Sequence, residues 1–155
     1  LLAKEFHSYP LVIVGDAPYA DQYKAKLLEA AKGFNVIFTG YQFAEHYYAL
    51  QLGAKVYVQA TEVGGTHPAL VEAMGFANAV IANNTPENAE VLSTAGLLYE
   101  MNSVNSLAQQ LTKLLENDDF LLEKRADCYA RAVRKYSWDA VTSQYKELFR
   151  KINAF

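Results

Sequence analysis

The residues best suited to chemistry lie together in the segment ATEVGGTHPALVEAMG, from Ala60 to Gly75. An apolar, β-branched run (VYVQA, Val56 to Ala60) precedes it and a helical pattern follows, so Gly64 and Gly65 fall on a strand-to-helix turn. In an open parallel sheet such a turn lies at the carboxyl ends of the strands, where a helix N-terminus offers backbone N–H groups to an anion. Glycines let a ligand approach the backbone closely, Thr66 or Gly65 can cap the helix, and Pro68 fits its first turn, where a missing N–H costs little. A phosphate suits that arrangement. Two glycines alone would signify only a tight turn, but Glu72 adds a second feature. It follows in a helix whose other residues (Ala69, Leu70, Val71, Ala73, Met74) are apolar, and a carboxylate there is costly unless something such as a ribose diol hydrogen-bonds it. His67, at the helix start, could donate to a phosphate; a plain capping or packing role is equally open.

Five apolar runs must position this segment: LVIVG (Leu11 to Gly15), VIFTG (Val36 to Gly40), VYVQA, AVIAN (Ala79 to Asn83) and GLLYE (Gly96 to Glu100). Their hydrophobicity is nearly continuous rather than alternating, as in parallel strands covered on both faces. Helical patterns separate them. Pro18 and Gly33 bracket a helix from Tyr19 to Lys32 with Tyr23, Leu27, Leu28 and Ala31 facing inward, a second runs from Ala44 to Leu52, and Thr85-Pro86-Glu87 starts a short one. After Glu100 only helices follow. Ser103 caps one carrying Val104, Leu107, Leu111 and Leu114, Phe120 to Tyr136 forms the next, and Ser137 caps a last one with Trp138, Val141, Tyr145, Leu148, Phe149 and Ile152 on one face. The fold class is α/β, a doubly wound parallel sheet closed by helices.

The 155 residues suit one folded unit, spanning 1–155, and LLAKEF at its start reads as the last turns of a helix, marking the chain as a fragment. With 14 basic and 17 acidic residues it carries no footprint for nucleic acid. The one cysteine and the lack of an apolar run long enough to span a bilayer point to a cytoplasmic setting. His7, His46 and His67 show no zinc spacing, so no metal is expected. Neither GxGxxG nor a P-loop occurs, which argues against dinucleotide oxidoreductases and P-loop NTPases.

The stretch GTHPALVEAMG, followed by NAVIANNTPENAEVL and AGLLYE, resembles the retaining glycosyltransferases of two-domain GT-B architecture, whose signature is two glutamates with seven residues between them and Ala-Met after the second. LVIVGDAPY, VIFTGY and YSWDAVTSQYKELF are similar to the same family, so the likeness runs from about Tyr9 to Phe149. It implies the Rossmann-like, C-terminal half that binds a nucleotide-sugar donor. Glu72 matches the second glutamate, which holds the ribose. The first, which contacts the donor sugar, falls at Gly64, where this chain has no carboxylate; Glu62, two residues earlier, is the candidate replacement and the assigned catalytic residue. Gly65, Thr66 and His67 match the loop facing the phosphates. Tyr41 matches the region beside the nucleobase, and Gly15 to Pro18 another loop at that edge.

The implied reaction moves a glycosyl group from a nucleotide sugar to an acceptor hydroxyl with retention, in polysaccharide or surface-glycan synthesis. The donor is a substrate, so no cofactor is expected. The basic pair that grips the diphosphate, the first strand and the acceptor-binding domain belong upstream of Leu1, as would any membrane contact, so the domain alone should be inactive. A nucleotide-sugar epimerase or phosphorylase of the same architecture, or a binding module that has lost catalysis, are the alternatives. Their discriminator is whether Glu62 reaches the sugar or points to solvent.

Overall fold

A computed structural model describes residues 5–153. The reading of LLAKEF falls mainly outside them. The elements run β1 (Leu11–Val14), α1 (Asp21–Ala31), β2 (Val36–Gly40), α2 (Ala44–Gly53), β3 (Val56–Gln59), α3 (Pro68–Gly75), β4 (Ala79–Asn83), α4 (Pro86–Leu92), β5 (Leu97–Tyr99), α5 (Val104–Leu115), α6 (Asp118–Tyr136) and α7 (Trp138–Ile152). All five expected strands are present, and every strand pairing within a sheet is parallel. The chain divides into two compact units, Leu1–Leu50 and Gln51–Phe155.

In the first unit β1 pairs with β2 in the register Leu11 to Val36, Val12 to Ile37 and Ile13 to Phe38. Two glycines close the carboxyl end: Gly15 (φ +118°) donates its N–H to the carbonyl of Gly40 (φ +65°) at 2.8 Å. No described residue of this unit is fully buried. The inward stripe expected on α1 is corrected in part: Leu27 and Ala31 are partly buried, but Tyr23 is 62% and Leu28 52% exposed. Pro18 does not start the helix either. It occupies the second position of a turn closed by Ala20 N–H to Ala17 O at 2.9 Å, a place its fixed φ suits equally well, and α1 begins at Asp21.

The second unit holds a sheet ordered β3-β4-β5. Strand β4 is buried at all five positions, and its side chains alternate between two apolar clusters. Val80 and Ala82 join Leu70, Met74, Leu92 and Cys128, while Ala79 and Ile81 join Tyr99, Leu114 and Leu121. Helices α3, α5 and α6 therefore supply the core that the continuous apolar strands demand. Burial pushes the Cys128 thiol up to about 11, and its Sγ donates to Ala95 O at 3.4 Å.

Thr85, Ser103 and Ser137 cap their helices as expected, their hydroxyls accepting from Asn88, Ser106 and Ala140 N–H. The apolar face of α7 is present as a pattern but not as core. Trp138 is 87% exposed, and Tyr145, Leu148, Phe149 and Ile152 are each at least half exposed. No helix among the described residues is long and apolar enough to cross a membrane.

Candidate functional site

In the second unit the loop from Ala60 to His67 leaves the carboxyl end of β3 and enters α3. Its first residues are anchored by a polar chain. Tyr57 Oη donates to Gln59 Oε1 (2.9 Å), Gln59 Nε2 donates to Thr61 Oγ1, and Asn83 Nδ2, from the last residue of β4, donates to Thr61 O (3.4 Å). Asn83 is itself held, because its carbonyl accepts from Asn88 Nδ2 (3.0 Å) and Thr85 N–H (2.8 Å). Its Oδ1 is buried without a hydrogen-bond partner among the described residues. None of these supporting residues was singled out from sequence. A signal existed: Gln59, Asn83 and Asn88 are polar residues inside or beside apolar runs, and such residues are buried only with partners.

Beyond Thr61 the loop is open. Glu62, Val63, Gly64, Gly65 and Thr66 are all exposed. Gly64 has φ +131°, a conformation side chains rarely adopt. Thr66 and Gly65 are not the cap: His67 is, with extended backbone (φ −82°, ψ 119°) and no capping bond from its side chain. The reason is Pro68, which bars the residue before it from helical geometry and so fixes the start of α3. Pro68 does take the first turn as expected. The carbonyl of His67 accepts from Leu70 N–H at 3.0 Å and Val71 N–H at 3.4 Å.

Glu72 requires a correction. Leu70, Ala73 and Met74 form the buried face of α3, whereas Glu72 is exposed, so no burial cost constrains its carboxylate. The helical rotation separates it from its apolar neighbours and places it at the surface. At the ends of the other two strands stand Asn83 and Tyr99. Burial raises the Tyr99 pKa, and the negative charge of Glu62 adds to the shift, so that carboxylate lies within electrostatic reach of β5's last residue.

In the first unit, the carboxyl ends of β1 and β2 bring together the other sequence candidates. Gly15 meets Gly40, next to Tyr41, and Gln42 Nε2 donates to Thr39 O at 2.8 Å, steadying that turn. The rings of Tyr41 and Phe43 stack at 6.2 Å with 24° between planes, and both are largely exposed. Asp16 pairs with Lys24 at 2.8 Å; the hydrogen bond from Lys24 holds the Asp16 carboxyl below its usual range, with Ala17 N–H contributing. Among the described residues no group of three or more His, Cys, Asp or Glu side chains could hold a metal.

Residues 1–135 match the family model for glycosyl transferases group 1, the family suggested by the sequence. The chain belongs to that family. A relative within it is the O-antigen chain mannosyltransferase B of Escherichia coli, 26% identical over 137 residues that make up 88% of this chain and 36% of the relative. Among solved structures, Anabaena HepE in complex with UDP superposes with TM-score 0.86 at 19% identity, covering 97% of this chain and 43% of HepE. The C-terminal domain of the glycosyl transferase group 1 protein LpcC from Francisella tularensis gives 0.75 at 22% identity, covering 87% of this chain and 73% of that domain. These likenesses establish the glycosyltransferase fold of the chain, that of the Rossmann-like C-terminal half of GT-B enzymes. The chain spans only about a third of the mannosyltransferase it matches.

Proposed function

We propose that this group 1 glycosyltransferase chain is the donor-binding half of a retaining enzyme that moves a hexosyl group from a nucleoside-diphosphate sugar to an acceptor hydroxyl. The observation that carries the reading is the pairing of an open, glycine-rich turn at the N-terminus of α3 with Glu72 exposed on the same helix. Glu72 takes the ribose hydroxyls. Backbone N–H groups of Gly65, Thr66 and His67, with the positive end of the helix dipole, receive the diphosphate, whose negative charge grows as the glycosidic bond breaks. Contacts to the sugar come from the loop that enters α3. No metal or cofactor enters this scheme, because fixed backbone dipoles stabilise the leaving group.

The complex of HepE with UDP, and that relative's structure with UDP-glucose, support a sugar nucleotide as ligand. The mannosyltransferase relative supports hexosyl transfer in polysaccharide or surface-glycan synthesis. The upstream first strand with its basic pair and the acceptor-binding half complete the enzyme in this scheme, with any membrane contact there, so the chain alone binds donor weakly and turns nothing over. A second reading, a binding module without catalysis, draws on the lack of a carboxylate at Gly64 and on the exposure of Glu62.

The test is a transfer assay on the full-length protein with UDP-glucose and GDP-mannose, following the anomeric proton of the product by NMR. Acceptor-dependent release of nucleoside diphosphate with the donor's anomeric configuration kept is the expected result. Inversion would contradict retention, and binding without turnover would favour the module.

A further inference from the structure

The contact between Gly64 and His67 singles out one side chain in the loop. His67 is held extended by Pro68, and its ring turns back along the loop. A Cβ built on Gly64 would stand 3.0 Å from His67 Cε1 and 3.3 Å from Nε2, so the imidazole edge lies close against the place where a side chain at position 64 would begin. The backbone favours glycine there through φ +131°, and the ring would have to give by a few tenths of an ångström to admit a side chain. The ring is half-buried, caps nothing, and its nitrogens have no hydrogen-bond partner among the described residues. Its polar edge stays uncommitted, which suits a group that meets a ligand better than a structural cap.

We propose that His67, rather than Glu62, is the side chain that recognises the sugar of the donor. This rests on the donor-binding reading above, in which position 64 faces that sugar. A sugar hydroxyl both donates and accepts, and a neutral imidazole offers one nitrogen of each kind, so the ring serves where a carboxylate could only accept. Glu62 is exposed, on the opposite side of the glycine pair in sequence.

The experiment compares two affinities in the full-length protein: UDP against UDP-glucose and GDP against GDP-mannose, for wild type, His67→Ala, His67→Gln and Glu62→Gln. Thermal unfolding of each variant verifies that it is folded. For whichever pair binds, His67→Ala should weaken the sugar nucleotide roughly three- to tenfold while leaving the plain diphosphate within about twofold. His67→Gln should restore part of the difference, and Glu62→Gln should leave it unchanged. A merely structural role for His67 would lower both affinities together and overturn the proposal, as would a collapse of the ratio in Glu62→Gln. If neither pair binds the wild type, the donor-binding reading fails and this assignment with it; binding with an unmoved ratio overturns this assignment alone.

Discussion

The two units use the same alphabet of apolar parallel strands and reach different ends. Strand β4 of the second unit is buried along its whole length between two clusters, whereas in β1 and β2 of the first unit Leu11, Val14 and Ile37 remain 45%, 43% and 48% exposed. Both read identically as sequence. The difference lies in what covers them: α3, α5 and α6 lay Leu70, Met74, Leu114, Leu121 and Cys128 against β4, while α1 turns Tyr23 and Leu28 outward. Hydrophobic strands propose a core, and only the covering helices make one.

Truncation should divide the units most sharply. Ile81→Ala removes a fully buried side chain from the second cluster and should cost about 2 to 5 kcal/mol in urea unfolding. Ile37→Ala, half exposed already, should cost about 1 kcal/mol or less, in proportion to the smaller area it buries. Equal losses would break the comparison.

A smaller effect belongs to Cys128. Its thiol is raised from 9.0 to about 11 by burial, so the folded state keeps a proton that the unfolded chain releases. The resulting stabilisation is complete below pH 9, falls as pH rises towards 11, and amounts to about 2 to 3 kcal/mol. Wild type should therefore lose stability over that range more steeply than Cys128→Ala. Native protein at pH 8 should also resist thiol alkylation until denatured, since the thiolate is the reactive form.

The smallest change is expected in the first unit at the Asp16 and Lys24 pair. Asp16 is depressed, so its contribution is present above the ordinary carboxylate range and disappears as pH falls through the lowered value. Solvent screens this pair, and Asp16→Asn should alter unfolding only marginally at pH 7 while flattening the acid limb.

Much of this architecture was legible because local rules agreed with tertiary demands. Every strand was found from apolar runs, and Thr85, Ser103 and Ser137 cap as their types require. Errors arose where one residue satisfies two local rules. Pro18 suits a helix start and a turn, and the turn prevailed; Thr66 has a capping side chain, yet Pro68 forces the boundary one residue later. At the candidate site the turn made by the glycine pair could be read from the sequence, while Glu72 was singled out there by its place in an apolar helix and by the resemblance. The exposure of Glu72 could not, since an eight-residue helix of mostly apolar residues gives no view of which side its neighbours cover. The ring of His67 over Gly64 was equally invisible, because it depends on a rotamer and on the loop's path.

The central claim, that α3 and its entering loop form the donor site, is tested most directly by titrating wild type and Glu72→Ala with UDP, GDP, dTDP and ADP using ligand-observed NMR. One nucleotide should bind saturably, and Glu72→Ala should weaken it roughly tenfold or more through loss of a charged hydrogen bond. Equal affinity in the two proteins would contradict the assignment of Glu72 and the donor site built around it.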